Sequence, residues 1–206
     1  MAVLVSGGGT NMQAVMDKID AGEINAEIVA VVSSNANSCA LTRAASRNIP
    51  AYICALKDYK GREERDAEIL RILKKYCADF VLLAGYLGIL TERLLSECEN
   101  HIINIHPSLL PSFGGAGFHG LKVHEAALRR GVKITGATVH FVSREVDGGI
   151  IILQKAVPVL PNDTPETLQK RVMLEAEYSI FPEAVKLLCE GRVEVRDGKA
   201  YCKGVI

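Results

Sequence analysis

The sequence has no tryptophan, only 5% aromatic residues and no surplus charge, since 24 lysines and arginines balance 24 aspartates and glutamates. It has no basic tail, no basic helix and no basic patch interleaved with aromatics, which argues against nucleic acid as a partner. Any anion must therefore be held by local geometry rather than by a broad positive field. No apolar run approaches the roughly 18 residues of a bilayer span, so no membrane partner is expected. The opening Met1-Ala2-Val3-Leu4-Val5-Ser6 is too short for a signal peptide and lacks its charged leading region, so a cytoplasmic location is expected. Cys39, Cys54, Cys77, Cys98, Cys189 and Cys202 form no CxxC pair. Zinc and redox-motif readings are therefore weak, and most of these thiols are expected to be reduced and semi-buried. No internal repeat and no low-complexity linker breaks the chain, and one domain is expected over residues 1–206.

What is present is a 49% hydrophobic chain of 206 residues, enough for a substantial core. Its first part alternates short apolar runs with helical patterns. Strands are expected at 2–5, 27–32, 51–54, 79–84 and 102–105. Helices are expected from the glycine loop to Asp20 (Met12, Val15, Met16 and Ile19 inward), over 40–47, over 62–76 (Ile69, Ile72 and Leu73 inward) and over 91–97. Such alternation predicts an α/β fold, a mostly parallel, Rossmann-like twisted sheet with helices on both faces. Its ligands sit beyond the carboxyl ends of the strands.

The second part changes character. A helix over 121–130 capped by Gly131 precedes two long strands, 135–142 and 150–159, around Asp147-Gly148-Gly149. Thr164 as N-cap and Pro165 at the first position start a long helix that Pro182 should kink and Gly191 should end. A small hairpin is expected around Asp197-Gly198.

The most informative run is Asn104-Ile105-His106-Pro107-Ser108-Leu109-Leu110-Pro111. Residues i and i+2 of an extended strand point to one side, so Asn104 and His106 can reach one substrate atom together. Pro107 and Pro111 restrict how the chain leaves the strand. An amide donor beside a group that titrates near neutrality suits a reaction in which an oxygen gains charge while a proton moves. The bland reading of this pair is satisfied polar groups at a strand end.

Ser6-Gly7-Gly8-Gly9-Thr10-Asn11 is a strand-to-helix glycine loop. Its backbone can approach an anion closely, and the helix start offers unpaired N–H groups. It is neither a GxGxxG loop nor a P-loop with lysine, and it can also be read as an ordinary tight turn. Asp147 sits in an Asp-Gly turn, common for conformational reasons; its functional reading is a carboxylate facing His106. His140 can be structural, and His101, His119 and His124 default to surface or local hydrogen bonding. The apolar segment Tyr86 to Leu90 can be core or can wall a slot for a flat heterocycle, with Arg62 on its approach.

Together, Ser6 to Asn11, Leu83 to Leu87, Asn104 to Pro111, Gly136 to Val142 and Asp147 to Gly149 resemble the phosphoribosylglycinamide formyltransferase family, the folate-dependent enzymes of purine synthesis. The resemblance covers nearly the whole chain. It implies the formyltransferase fold, with a phosphate-binding half over 1–103 and a catalytic and folate-binding half over 104–206. It implies 10-formyltetrahydrofolate as co-substrate, phosphoribosylglycinamide as acceptor and no metal, in a monomer or homodimer. By motif position, Asn104, His106 and Asp147 take the catalytic places. Gly9, Thr10 and Asn11 match the phosphate-binding segment, and Glu177 matches a glutamate that contacts the ribose. Arg62, Leu87, Gly88, Ile89, Leu90 and Asn104 match the folate side, and Ser143, Arg144, Glu145, Val146 and Asp147 match the loop along the pterin.

Three departures stand out: Gly88 where the family often has arginine, Lys122 where it has histidine, and a longer loop over 112–120. The rival readings are formyltetrahydrofolate deformylase, methionyl-tRNA formyltransferase and a non-catalytic phosphosugar-binding module. The first usually carries an added N-terminal domain, and this chain starts directly at its first strand. The second has an additional C-terminal domain and a more basic surface. The third leaves Asn104, His106 and Asp147 without a shared role.

Overall fold

A computed structural model describes residues 1–204 of the chain. It divides into two compact units, Met1–Asn104 and Ile105–Ile206.

The first unit is a parallel α/β sheet. Its strands are β1 (Ala2–Val5), β2 (Ala30–Ser33), β3 (Ala51–Ile53), β4 (Val81–Leu83) and β5 (Ile102–His106), the last running across the unit boundary. They lie in the order β3-β2-β1-β4-β5, each pair parallel. Every residue of β1, β2 and β4 is buried, which is why these strands read as continuous apolar runs rather than alternating ones. Helices α1 (Thr10–Asp20), α2 (Cys39–Ala45), α3 (Arg62–Lys75) and α4 (Glu92–Glu97) connect them. Met12, Val15 and Met16 of α1 are buried, as are Ile69, Leu70, Ile72 and Leu73 of α3; Ile19, expected inward, is only half-buried. In α3, Glu63 and Glu64 occupy the first turn and Lys74 and Lys75 the last, matching the helix dipole.

Two strands depart from the apolar runs by more than one residue at one end. β2 covers 30–33 rather than 27–32, because its ladder begins where Ala30 meets Ala2 and ends where Ser33 meets Val5. β4 covers 81–83 rather than 79–84, limited by its partners Ala2 to Leu4. Pairing, not local propensity, sets these ends.

The second unit contains α5 (Leu121–Arg130), the antiparallel pair β6 (Ile134–Phe141) and β7 (Ile151–Pro158), helices α6 (Pro165–Val172) and α7 (Tyr178–Cys189), and the hairpin β8 (Val193–Arg196) and β9 (Lys199–Cys202). Gly131 caps α5 in the left-handed conformation, φ 74°. Thr164 caps α6 through a capping box with Thr167, and Pro165 follows at the first position. Asp197 and Gly198 both have positive φ in the β8–β9 turn, as a two-residue hairpin turn requires. Pro182 lies inside α7, and the expected long helix is interrupted upstream of it by a widened π turn, Met173–Glu177. Proline lacks the N–H that would bond the carbonyl of Tyr178 and crowds that carbonyl. The ladder widens just before that point, as single-turn π segments do.

All six cysteines are unbonded, but Cys39, Cys77 and Cys189 are exposed rather than semi-buried. Among the described residues, no helix is long and apolar enough to cross a membrane.

Candidate active site

In the first unit, two segments leave the carboxyl ends of neighbouring parallel strands. Leu4, Leu83 and Asn104 stand in register across β1, β4 and β5. The glycine loop begins two residues beyond Leu4, and the 84–91 segment follows β4. Chain direction through the sheet reverses between β1 and β4, the position where ligands collect in open α/β sheets. Ser6 Oγ accepts a hydrogen bond of 2.8 Å from Leu87 N–H, tying the two segments together.

The glycine loop is built to expose backbone. Gly9 has φ 69°, and a Cβ there would meet the Ala40 Cβ at 2.6 Å, so only glycine fits. Carbonyls of the loop are held from behind. Ser38 Oγ donates to Gly7 O at 2.6 Å, and Arg43 Nε donates to Gly8 O at 3.0 Å. With its carbonyls engaged, the loop and the first turn of α1 are left with N–H groups suited to an anion. Thr10 and Asn11 form that first turn.

Leu87 and Ile89 are exposed by 62% and 52%, whereas Tyr86 and Leu90 are buried. The segment therefore is core at its two ends and open at Leu87 and Ile89. Gly88 is explained by its neighbour, since a Cβ there would lie 2.7 Å from the Tyr86 ring. Burial pushes the Tyr86 hydroxyl up to about 12. Tyr86 Oη and Thr91 Oγ1 are both buried without a hydrogen-bond partner in the protein. Arg62 is exposed and lines a groove of about 700 Å³ with Lys60, Glu64, Leu90, Thr91 and Glu92.

In the second unit, His106 closes β5 and is 4% exposed. Its Nδ1 lies 3.4 Å from Asp147 Oδ2, and its Nε2 is 2.9 Å from the Phe113 carbonyl. A carbonyl can only accept, so Nε2 carries a proton. Asp147 has φ 58° in the turn after β6. Its Oδ2 also accepts from Gly115 N–H at 2.8 Å. Gly149 is obligatory, because a Cβ would strike the Phe141 carbonyl. Ser143 to Val146 form the turn before Asp147, where Ser143 Oγ donates to Glu145 O and Val146 is exposed. Lys122 lies in the first turn of α5 and is exposed. Glu177 is buried and ends the π turn.

Two further histidines are buried in this unit, and His124 departs from expectation. His140 Nε2 is 3.7 Å from Asp147 Oδ1, and its Nδ1 donates to Phe141 O at 2.8 Å. A bulge between Val139 and His140 re-aims its side chain. Burial lowers its pKa, with the Phe141 carbonyl and Asp147 opposing and His106 adding to the depression. His124 is not at the surface and makes no local hydrogen bond. It is fully buried, both ring nitrogens lack partners, and burial together with repulsion from His106 pushes its pKa to about 4. Sequence reasoning could not have found the Phe113 carbonyl or the Gly115 N–H, which are main-chain groups. The bulge that brings in His140 likewise leaves no residue signature. Among the described residues, no group of three or more His, Cys, Asp or Glu is placed to hold a metal ion.

Comparison with known proteins gives the class first. Residues 1–185 match the formyl transferase family model. Within that class, the chain is 40% identical over 204 residues to a phosphoribosylglycinamide formyltransferase of Haemophilus influenzae, covering 99% of this chain and 93% of the relative. It is 44% identical to the trifunctional purine biosynthetic protein adenosine-3 of chicken, covering 98% of this chain but only 20% of that protein's length. A solved glycinamide ribonucleotide transformylase from Symbiobacterium toebii matches with TM-score 0.92 and 41% identity, over 98% of this chain and 92% of its own. The chain belongs to the phosphoribosylglycinamide formyltransferase family.

Proposed function

We propose that the chain transfers the formyl group of 10-formyltetrahydrofolate to the glycine amine of phosphoribosylglycinamide. The observation that carries this reading is the His106–Asp147 contact at 3.4 Å, in a strand that also carries Asn104.

The amine lone pair attacks the formyl carbon, and the C=O electrons move onto oxygen. Asn104 donates to that oxyanion, a role worth roughly 3 kcal/mol in the transition state. His106 gives up its Phe113 carbonyl partner and turns its Nε2 proton towards the reacting atoms. Collapse re-forms the carbonyl and breaks the bond to N10 of the folate. The amine loses one proton and N10 gains one, with His106 as the donor and Asp147, directly or through one water, as the relay. Gly9, Thr10 and Asn11 hold the phosphate by backbone and side-chain donors, and Glu177 accepts from the ribose. Leu87, Gly88, Ile89 and Leu90 wall the folate, Arg62 stands beside its exposed end, and Ser143 to Val146 lie along the pterin. No step needs a metal.

The test is a spectroscopic assay of formyl transfer with and without phosphoribosylglycinamide. Tetrahydrofolate is expected only with the acceptor. Release without it would make the chain a deformylase, and no release in either case would remove the catalytic reading.

A further inference from the structure

The buried ion pair of α3 does more than fill space. Arg65 and Asp66 are 2% and 1% exposed, and their side chains are 2.6 Å apart. Charges buried this deeply bring little net stability, since their desolvation cost offsets much of their attraction, and apolar residues of similar volume often serve as well. What distinguishes this pair is where each partner spends its second hydrogen bond. Arg65 Nε donates to Asp66 Oδ1 at 2.7 Å and its Nη2 to the Ile89 carbonyl at 2.8 Å, and Asp66 Oδ2 accepts from Thr91 N–H at 2.6 Å. The Arg65 guanidinium also lies 5.9 Å from the centre of the Tyr86 ring, the ring that packs against Gly88.

The segment so gripped has neither helix nor strand to satisfy its backbone, and two of its side chains, Leu87 and Ile89, face water. Their burial cannot be what holds it in shape. Beside the buried Tyr86 and Leu90, the polar grip comes from Ser6 at one end and from Arg65 and Asp66 at the other.

We propose that Arg65 and Asp66 are positioning residues for the folate co-substrate: they fix the backbone from Ile89 to Thr91 so that Leu87 and Ile89 present a rigid apolar wall. The inference rests on the function proposed above. Loosening the pair weakens folate binding and leaves chemistry and the phosphorylated substrate untouched.

Steady-state kinetics and calorimetry with 5-formyltetrahydrofolate as probe test this on the full chain. Asp66→Asn and Arg65→Lys are expected to raise the KM for 10-formyltetrahydrofolate about tenfold, with kcat and the KM for phosphoribosylglycinamide within about twofold. Arg65→Met/Asp66→Leu replaces the pair by apolar packing and separates the two roles. It should keep the wild-type melting temperature within a few degrees while the folate KM and the probe's Kd stay raised about tenfold. If a variant fails to fold, hydrogen exchange of the wild-type chain decides: the Thr91 amide should be strongly protected, and an unprotected amide overturns the proposal. A double variant with wild-type folate affinity also overturns it. A wild-type chain that neither binds the probe nor transfers formyl removes the proposed function instead, a result visible before any variant is made.

Discussion

Asp147 Oδ2 stands 3.4 Å from His106 Nδ1 while accepting a hydrogen bond from Gly115 N–H. The carboxylate is thus aimed from two sides: by the turn that carries it, at φ 58°, and by the loop that also offers its Phe113 carbonyl to His106 Nε2. One loop sets both members of the pair.

From this follows the plainest kinetic expectation. His106→Ala and Asp147→Asn each lower kcat by about 10²–10⁴-fold, and Asn104→Ala by about 10²–10³-fold. For His106→Ala the KM values should change little, because on the proposed assignments other residues hold the substrates. Binding weakened in step with turnover would contradict these assignments.

Gly9 is a sharper probe of the proposed phosphate-binding role of the glycine loop. Gly9→Ala forces a side chain into the left-handed region, at a cost of roughly 1–2 kcal/mol, and drives its Cβ against Ala40. The loop must shift and its N–H groups lose their aim. The expected result is a KM for phosphoribosylglycinamide raised at least tenfold, with a melting temperature lowered by several degrees and the folate KM nearly unchanged. Equal rises in both KM values would place the loop elsewhere in the reaction.

The fold was legible where the chain's own chemistry decides it. β1 and α5 end where their apolar runs and caps end, at Val5 and at Gly131. It was less legible where a partner decides: the start of β2 waits for Ala2 to pair with Ala30. The π turn lies upstream of Pro182, and Met173–Glu177 contain no glycine or proline to announce it. In the site, Asn104, His106 and Asp147 were visible as residue types at telling positions. His140 was not, because a one-residue bulge turns it towards Asp147. Arg65 and Asp66 read as ordinary charges of an amphipathic helix, yet they are buried.

Glu177 tests the π turn. It is a buried carboxylate at the last residue of the widened turn, a conformation often found at functional positions. Glu177→Ala removes a charged hydrogen-bond partner, worth about 1.5–3 kcal/mol. The KM for phosphoribosylglycinamide should therefore rise about 10–100-fold with kcat nearly constant. An analogue lacking the ribose hydroxyls should show no such difference between wild type and variant; if it does, the contact is not to the ribose.

His124 governs how the fold responds to acid. Its pKa is about 4 in the folded chain and about 6.5 when unfolded. Between those values the unfolded chain binds more protons, so stability rises with pH across the window and falls as pH drops from 6.5 towards 4. Below both values the loss amounts to roughly 3 kcal/mol. His140 is depressed in the same direction and contributes to the same trend. His124→Leu removes two buried nitrogens that have no partner. It should match or exceed wild-type stability at pH 7.5 and lose less of it at pH 4.5, leaving only the part due to other groups. Urea unfolding at the two pH values measures this directly. Equal losses in wild type and variant would mean that His124 is charged or hydrogen-bonded in the folded chain.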